Sequence, residues 1–306
     1  MVNSVGTTRK VLRRAGTSFL NVEDKFPDNE SCLAHIISIR LDQNASCQKC
    51  GELRTFRKIS KRNSYISKCC TIRIISPLTG TIFARTQISL KDWFRTILYF
   101  TNASMGISPN FIRQQFGIAR ASSMRICQLI RQHLMSVDDD VLLGVDGSSV
   151  YVSVTTFKSI SHRGGKNGTR FRVLMATDGV EVLIVPIHTG KITLYRHLLL
   201  DRLHPNAPII TQTDILRKRI LNFYKSSKVK GHNIDTSDDP YYEQFNKISV
   251  CSIALKRFIL QSHYSVSERH LESYVGHFAF LYRRRHRGHE AFWDAISHFS
   301  KFPQIS

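Results

Sequence analysis

The sequence lacks any long run of apolar residues. No stretch of its 306 residues approaches the roughly 18 consecutive apolar residues that a membrane helix needs. The first residues, MVNSVGTTRKVLRRAGTSF, are basic but have no apolar segment behind them, so they lack the pattern of a secretory signal. A hydrophobic fraction of 42% and a charged fraction of 22% are typical of a globular chain and exclude wholesale disorder. We therefore expect a soluble protein that stays inside the cell and has no membrane partner.

Acidic residues are scarce relative to basic ones. The chain has 23 Asp and Glu against 44 Lys and Arg, which gives a formal net charge of +21. Residues 1–140 hold 21 basic and 10 acidic side chains and the remainder 23 and 13, so the excess is spread over both halves. A charge of this size attracts polyanions, of which nucleic acid is the commonest. The alternative is that the charge only keeps the protein soluble.

The cysteines do not indicate a disulfide framework. There are seven, an odd number, and no secretory signal accompanies them. The region around four of them predicts a helix over 30–40, a CxxC turn, a small antiparallel hairpin and a second thiol pair, which is the layout of a zinc ribbon. The candidate zinc ligands are Cys47, Cys50, Cys69 and Cys70. The last two are adjacent and point to opposite faces of an extended segment, so an intact and a decayed zinc site both stay open.

A helical hairpin is predicted over residues 105–135. Ser108 is a good N-cap with Pro109 at the first helical position, and Gly117 makes a turn before a second helix that begins near Arg120. An amphipathic helix precedes the hairpin, with apolar residues at Leu90, Trp93, Phe94, Ile97 and Leu98. The residues expected to point inward from the second hairpin helix are Met124, Cys127, Ile130 and Leu134.

In a basic chain, this hairpin is the helix-turn-helix pattern of DNA-binding proteins, although any helical hairpin can show it. The candidate DNA-binding side chains here are Arg113, Arg120, Ser122, Ser123 and Arg125.

After an acidic run at 138–140 the sequence changes to a pattern of strands. Strands are predicted over 141–154, 170–176, 180–187 and 208–213, with helices over 193–203, 215–224, 243–260 and 267–285. Three strands, a helix, a further strand and closing helices are the order of a ribonuclease H-like α/β domain. The predicted fold class is therefore α/β, with this domain preceded by a zinc-ribbon-like segment and a helix-turn-helix.

Two carboxylates in this second half are candidates for metal binding. Asp146 lies in the first predicted strand and Asp214 ends the fourth. Phosphodiester chemistry can use two Mg²⁺ or Mn²⁺ ions about 4 Å apart, and acids on two neighbouring strands can bridge such a pair. An acid inside an apolar strand is costly to bury without a partner or an ion, which favours Asp146. Each aspartate alone could instead be a strand-end or helix-capping residue.

Several short motifs follow one order along the chain. They are Cys47-Gln-Lys-Cys50, Thr79-Gly80-Thr81, Leu90-Lys-Asp-Trp93-Phe94, Gly106-Ile107-Ser108, Val145-Asp146, Thr213-Asp214, Asn246-Lys-Ile248, Leu255-Lys256-Arg257 and His270-Leu271-Glu-Ser-Tyr274. Their order, over about residues 26–285, resembles that of ISXO-type insertion-sequence transposases and of their eukaryotic relatives, the Merlin elements.

The resemblance implies a domain organisation. It implies that a zinc-ribbon-like segment at 26–85 and a helix-turn-helix region at 86–136 bind the element ends. Before them, residues 1–25 are polar, basic and without periodicity, so we expect a flexible basic arm there. A DDE nuclease domain at 141–290 would cut and rejoin DNA with Mg²⁺ or Mn²⁺, and a tail at 291–306 would follow. The implied partners are double-stranded DNA, as transposon ends and target, and further copies of the chain on that DNA.

The resemblance also implies the catalytic residues. Asp146 and Asp214 correspond to the first two acids, and Ser249 stands where the family has glutamate. A serine hydroxyl cannot supply the negative charge that holds a divalent cation. Glu243 is a poor substitute, because six residues of helix place it off the same face. Lys256 and Arg257, in a further matched motif, are candidate DNA-binding residues.

Two functions remain open at this point. One is a transposase that binds transposon ends and retains an impaired, metal-dependent cleavage and strand-transfer domain. The other is a catalytically inactive, domesticated or relic copy that only binds DNA. A third hypothesis, a zinc-ribbon transcription regulator unrelated to transposition, explains the first half of the chain but gives Asp146 and Asp214 no role. In either case we expect the protein in the nucleus of a eukaryote, or in the cytoplasm or nucleoid of a bacterium.

Overall fold

The structure, a computed structural model, describes residues 17–40, 50–52, 55–59, 64–68, 70, 72–86, 88–137, 141–158, 170–187, 201–213, 229–231, 239–263, 266, 268–287 and 290–299. These residues form a mixed α/β protein. Its helices are α1 (Phe19–Lys25), α2 (Asn29–Arg40), α3 (Leu90–Asn102), α4 (Pro109–Phe116), α5 (Arg120–Val137), α6 (Tyr242–His263), α7 (Glu268–Arg283) and α8 (Glu290–Ser297). Its strands are β1 (Thr55–Lys58), β2 (Tyr65–Lys68), β3 (Ile72–Ile75), β4 (Val150–Lys158), β5 (Arg170–Thr177), β6 (Val182–Ile187), β7 (Ile209–Thr211) and β8 (Val229–Gly231).

Helix α3 is the centre of a helical core in the first half of the chain. Ser89 caps its N-terminus by accepting a hydrogen bond from the Asp92 amide at 3.0 Å. All five apolar residues predicted for its inner face are buried: Leu90, Trp93, Phe94, Ile97 and Leu98. Helices α1, α2 and α5 pack around it, and α8 joins them from the other end of the chain.

The two ends of the chain differ from the sequence-based predictions. Within the arm expected at 1–25, residues 19–25 form α1, because Val22 is buried in the helical core and Glu23 pairs with Arg95 at 2.6 Å. Within the tail expected at 291–306, most of α8 is helical, because Phe292 and Ile296 are one helical turn apart and both enter the same core. The expectations of a loose arm and tail are therefore wrong for these two segments.

A small antiparallel sheet lies between α2 and α3 in sequence. Its strand order is β1-β2-β3, with Arg57 paired to Ile66 and Ile66 to Ile74. The hairpin predicted from alternating residues is confirmed, and β3 extends it by a strand that was not predicted.

A five-stranded sheet forms the second half. Its order is β6-β5-β4-β7-β8, in which β4, β5 and β6 are antiparallel neighbours and β7 and β8 run parallel to β4. In the β4–β7 ladder Val150 pairs with Ile209 and Val152 with Thr211. The strands predicted over 170–176, 180–187 and 208–213 are confirmed, whereas β8 was not predicted. The helices predicted over 193–203 and 215–224, Asp214 itself and the acidic run at 138–140 lie mostly or wholly outside the described residues.

Helices α6 and α7, both predicted, pack against the sheet and against each other. Helix α7 also packs along α5, and this contact joins the two halves. Gly276 of α7 allows the close approach, since a Cβ atom there would lie 2.5 Å from Met135 Cγ of α5. His277 Nε2 lies 3.1 Å from the Phe100 carbonyl oxygen and ties α7 to α3 as well. Among the described residues, no helix has the length and hydropathy of a membrane span.

Candidate nucleic-acid interface

The helical hairpin α4–α5 has the geometry that its sequence predicts. Ser108 Oγ accepts a hydrogen bond from the Phe111 amide at 3.2 Å, and Pro109 occupies the first turn, where its missing amide hydrogen costs nothing. The turn is made by Gly117, whose φ of 61° lies in the left-handed region that glycine adopts without strain. Helix α5 follows after two residues and runs for 18. Local chemistry is therefore sufficient to specify this hairpin.

One face of α5 is open to solvent and cationic. Its exposed side chains are those of Arg120, Ala121, Met124, Arg125, Gln128 and Gln132. We call these six residues the α5 face. Among the described residues, no acidic side chain forms an ion pair with Arg120 or Arg125. Both guanidinium groups are therefore available to an anionic partner.

The burial of α5 corrects two of the sequence-based assignments. Met124 was expected to point inward but is 52% exposed on the α5 face. Ser123 was a candidate DNA contact but is buried, and its Oγ donates to the Arg120 carbonyl oxygen at 2.8 Å. Ser123 lies four residues before Cys127, on the stripe that enters the core, and this spacing was the signal that sequence reasoning missed. Ser122 is half-buried, and Arg113 is exposed in the last turn of α4.

The inner side of α5 is fixed by an unusual contact. The Arg131 side chain is buried, its Nη2 donates to the Ile107 carbonyl oxygen at 3.0 Å, and its guanidinium lies 4.0 Å from the centre of the Tyr274 ring. Burial lowers the pKa of Arg131 and raises the pKa of Tyr274. A cation stacked on an aromatic face is stabilised by the quadrupole of the ring, so Arg131 orients α5 against α7 without a carboxylate.

Asp146 does not lie in a strand. The strand predicted over 141–154 begins only at Val150, and Asp146 is exposed in the turn that precedes it. Gly144 and Gly147 have φ of 72° and 74°, and the Gly147 amide donates to the Gly144 carbonyl oxygen at 3.1 Å, which closes the turn. The placement of Asp146 in the strand is therefore wrong. Of the apolar residues before it, which suggested a strand, Leu143 is buried with Leu203 and Ala207, whereas Leu142 and Val145 are exposed.

The turn that carries Asp146 lies at the amino-terminal end of β7. A Cβ atom on Gly144 would lie 2.5 Å from the Ala207 side chain, which precedes β7, and Leu143 forms a bridge with Leu203. The second predicted acid, Asp214, follows Thr213 in sequence, past the carboxyl end of β7, and is outside the described residues. The structure thus does not bring Asp146 to the end of β7 that Asp214 follows.

The described side-chain contacts between β4 and α6 join neutral groups. Tyr151, Ser153 and Thr155 share one face of β4. Ser153 hydrogen-bonds to Gln212 next to the end of β7, the hydroxyls of Thr155 and Ser252 are 2.9 Å apart, and the ring of Tyr151 packs on Phe245 with centroids 5.6 Å apart. Ser249 lies on α6 between Phe245 and Ser252, and its Oγ donates to the Phe245 carbonyl oxygen at 3.0 Å. Ser249 is exposed on α6. We call the four residues joined by the two side-chain contacts, Ser153 with Gln212 and Thr155 with Ser252, the polar cluster.

The other residues assigned on α6 are exposed. Glu243 pairs with Lys247 at 3.1 Å, and 77% of its side chain is accessible. Lys256 and Arg257 face solvent further along the helix.

The predicted zinc ligands are described only in part. Cys50 and Cys70 are exposed, and Cys47 and Cys69 lie outside the described residues. No group of three or more His, Cys, Asp or Glu side chains suited to a metal ion occurs within the part of the chain that the structure describes. Cys32, Cys127 and Cys251 are buried as small apolar residues, and burial raises the pKa of each thiol.

No family model matches the chain, and neither a curated protein nor a solved structure matches it.

Proposed function

We propose that the protein binds duplex DNA through the helical hairpin α4–α5 and is a relative of ISXO-type transposases that does not cleave DNA. The observation that carries the binding proposal is the α5 face. It offers Arg120 and Arg125 without acidic partners among the described residues, beside Gln128 and Gln132. Arginine and glutamine are the side chains that most often read guanine and adenine in the major groove. With a net charge of +21, duplex DNA is the partner that this surface fits best.

The order of strands supports the proposed ancestry. Three antiparallel strands followed by two parallel ones, with the first strand at the centre, is the arrangement of a ribonuclease H-like sheet. In such a sheet the first strand and the end of the fourth are neighbours, so acids placed there can hold metal ions together. The antiparallel strands β1–β3, with Cys50 before them and Cys70 between β2 and β3, likewise support a zinc-ribbon-like segment. Four cysteine thiolates would suit a structural zinc ion.

The absence of cleavage is inferred from the position of Asp146 and from the serine at position 249, where the family has glutamate. Because β4 and β7 are parallel, a residue before β4 and a residue after β7 lie towards opposite ends of the sheet. Asp146 precedes β4 by four residues, whereas the end of β7 lies beside Val152, which pairs with Thr211, and Ser153, which hydrogen-bonds to Gln212. A two-metal site needs carboxylates within bonding distance of ions about 4 Å apart. The polar cluster offers hydroxyl and amide groups at this place, which bind a divalent cation only weakly.

The binding proposal is tested by titrating a fluorescent duplex of about 25 base pairs with the full chain at several salt concentrations. We expect affinity to fall by orders of magnitude between about 50 and 200 mM salt, with a slope that reports roughly six or more phosphate contacts. Arg125→Gln should weaken binding about tenfold at fixed salt, since it removes one charge-assisted contact.

Arg172→Gln is the matched control. It removes the same charge from an exposed position on β5, away from the α5 face, and should bind as the parent does. Affinity that hardly changes over this salt range would contradict the proposed function.

A further inference from the structure

A cleft of about 410 Å³ lies beside the α5 face. One wall is formed by Ile82, Ala84, Arg85, Thr86 and Ile88, which precede α3. The other wall is the flank of α5 with the turn before it. Apolar side chains such as Ile88, Ile118 and Leu129 form its walls, and Arg85, Ser122 and Arg125 supply its polar groups. Among the described residues, no acidic side chain lines it. The walls of the cleft are therefore apolar, and its charged side chains are two arginines.

The segment that carries Arg85 is held against α3 by Phe83 and Thr86. The Phe83 ring is fully buried and packs edge-on against Trp93, with centroids 5.5 Å apart. The Trp93 indole in turn donates to Thr86 Oγ1 at 2.7 Å, and the Ile88 amide donates to the same oxygen at 3.2 Å. Arg85, between these anchors, is exposed at the cleft rather than packed in the core.

The backbone of Arg85 is strained. Its φ of 54° makes it the sole residue other than glycine with a positive φ in the part of the chain that the structure describes. Side chains with a Cβ atom rarely adopt this conformation, and residues that keep it are concentrated at binding sites. The contacts of Phe83 and Thr86, on either side of Arg85, hold the backbone in this conformation. In this conformation the Arg85 side chain lies at the cleft.

Arg125 belongs both to the α5 face and to the cleft. The α5 face and the cleft are therefore continuous, so a single extended anion can contact both. Among the described residues, no acid pairs with Arg85. Arginine binds phosphate oxygens with two parallel N–H donors, and a serine hydroxyl such as that of Ser122 can add a third bond.

We propose that the cleft holds the sugar–phosphate backbone of one DNA strand when the α5 face docks on a duplex. Arg85 and Arg125 contact phosphate oxygens, and the apolar walls contact the deoxyribose. This inference rests on the proposed function, and it adds Arg85 as a DNA-positioning residue. The same cationic groups would suit an acidic peptide, but the continuity with the α5 face favours DNA.

The test compares full-chain variants at Arg85 in the salt titration of a duplex of about 25 base pairs. Arg85→Gln should lower affinity about tenfold and reduce the log–log salt slope by about 0.9, the value for one lost phosphate contact. Arg85→Lys should keep most of the slope. Arg85→Gly should lower DNA affinity as much as Arg85→Gln does. Its free energy of unfolding in urea should be at least that of the parent, because glycine is unstrained at this φ.

The outcomes separate the two proposals. If the parent binds DNA, and Arg125→Gln weakens it, but Arg85→Gln and Arg85→Gly bind with the parent's affinity and slope, the cleft proposal is overturned and the proposed function stands. If the parent shows no salt-dependent binding, both fail. The cleft proposal is also overturned if Arg85→Gly abolishes binding of a polyglutamate peptide and leaves DNA binding unchanged.

Discussion

At the scale of single residues, Arg131 shows how this protein buries a positive charge. The side chain lies between α5 and α7, donates to the Ile107 carbonyl oxygen, and stacks on Tyr274 and, at 5.4 Å, on Phe100. Its Nε is buried and makes no hydrogen bond. The desolvation of the cation is therefore offset by two aromatic faces and one carbonyl rather than by a carboxylate. Packing of the long side chain and attraction of its charge both contribute, and substitutions can separate them.

We expect Arg131→Ala to lower the free energy of unfolding by about 3 kcal/mol, because it leaves a cavity and removes both ring contacts. Arg131→Met should lower it by less than about 1 kcal/mol, since methionine refills the space and no charge has to be desolvated. Urea denaturation of the two variants measures both values. Equal losses in the two variants would show that the charge, and not the packing, stabilises the contact.

At the scale of secondary-structure elements, the docking of α8 depends on two histidines. His133 Nε2 lies 2.6 Å from the Ala295 carbonyl oxygen, and His35 Nε2 lies 3.1 Å from that of Ile296. Burial lowers the pKa of both imidazoles. The neutral form of each ring can donate its single proton to the carbonyl, whereas the charged form has to be accommodated in the helical core. Protonation of these two histidines therefore opposes the attachment of α8.

The sign of the resulting pH dependence follows from proton binding. An unfolded histidine takes up its proton near pH 6.5, and a folded one with a lowered pKa does so at lower pH. The unfolded state thus binds more protons below about pH 6.5, and stability should fall as the pH decreases from there, by at most about 1.4 kcal/mol per pH unit for each histidine. Arg95 beside Glu23 lowers the pKa of that carboxyl from 4.5 to about 2. The stability that this ion pair contributes is therefore present above pH 4.5 and is lost as the pH falls from there to about 2.

We expect His133→Gln, which keeps a neutral donor for the Ala295 carbonyl, to reduce the loss of stability between about pH 6.5 and 5. Urea unfolding at the two pH values measures this difference. The exposed His286 provides the control, and His286→Gln should retain the parent's pH dependence. A His133→Gln variant with an unchanged pH profile would contradict the role of this histidine.

At the scale of the whole molecule, a helical half that carries the cationic α5 face is joined to a half that holds the five-stranded sheet. The two halves share contacts between α5 and α7, and α8 closes the helical core from the far end of the chain. The α5 face and the polar cluster are thus held on one scaffold. Arg120 and Arg125 make the α5 face cationic, whereas the contacts of the polar cluster join hydroxyl and amide groups.

We expect no Mg²⁺- or Mn²⁺-dependent nicking of supercoiled DNA by the full chain. Loss of an anionic ligand from a two-metal site costs several kcal/mol of transition-state stabilisation, or on the order of a thousandfold in rate. Ser249→Glu alone should not create nicking, because Asp146 lies in the turn before β4 and not beside the end of β7. A gel assay with Asp146→Asn as the comparison checks both expectations. Nicking by the parent that Asp146→Asn abolishes would restore Asp146 as a catalytic acid and refute the proposal of an inactive site.

The sequence by itself determined the elements whose signals are local. The Ser89 cap and the spacing of five apolar residues predict α3, and Ser108, Pro109 and Gly117 predict the hairpin of α4 and α5. These signals act over a few residues, within one turn of helix or one bend of the chain. Strands β5, β6 and β7 and the α/β class could be predicted for the same reason, since alternation and apolar runs are properties of short segments.

Only the tertiary structure decided which side chains meet. Asp146 follows an apolar run that looks like the start of a strand, but two glycines in left-handed conformation turn the chain before β4. Of that run, Leu143 is buried, whereas Leu142 and Val145 are exposed. The burial of Ser123, the docking of α8 and the position of Arg85 at the cleft likewise depend on segments that are distant in sequence. Such contacts form only when distant segments pack together in the core, so a local pattern of residues cannot predict them.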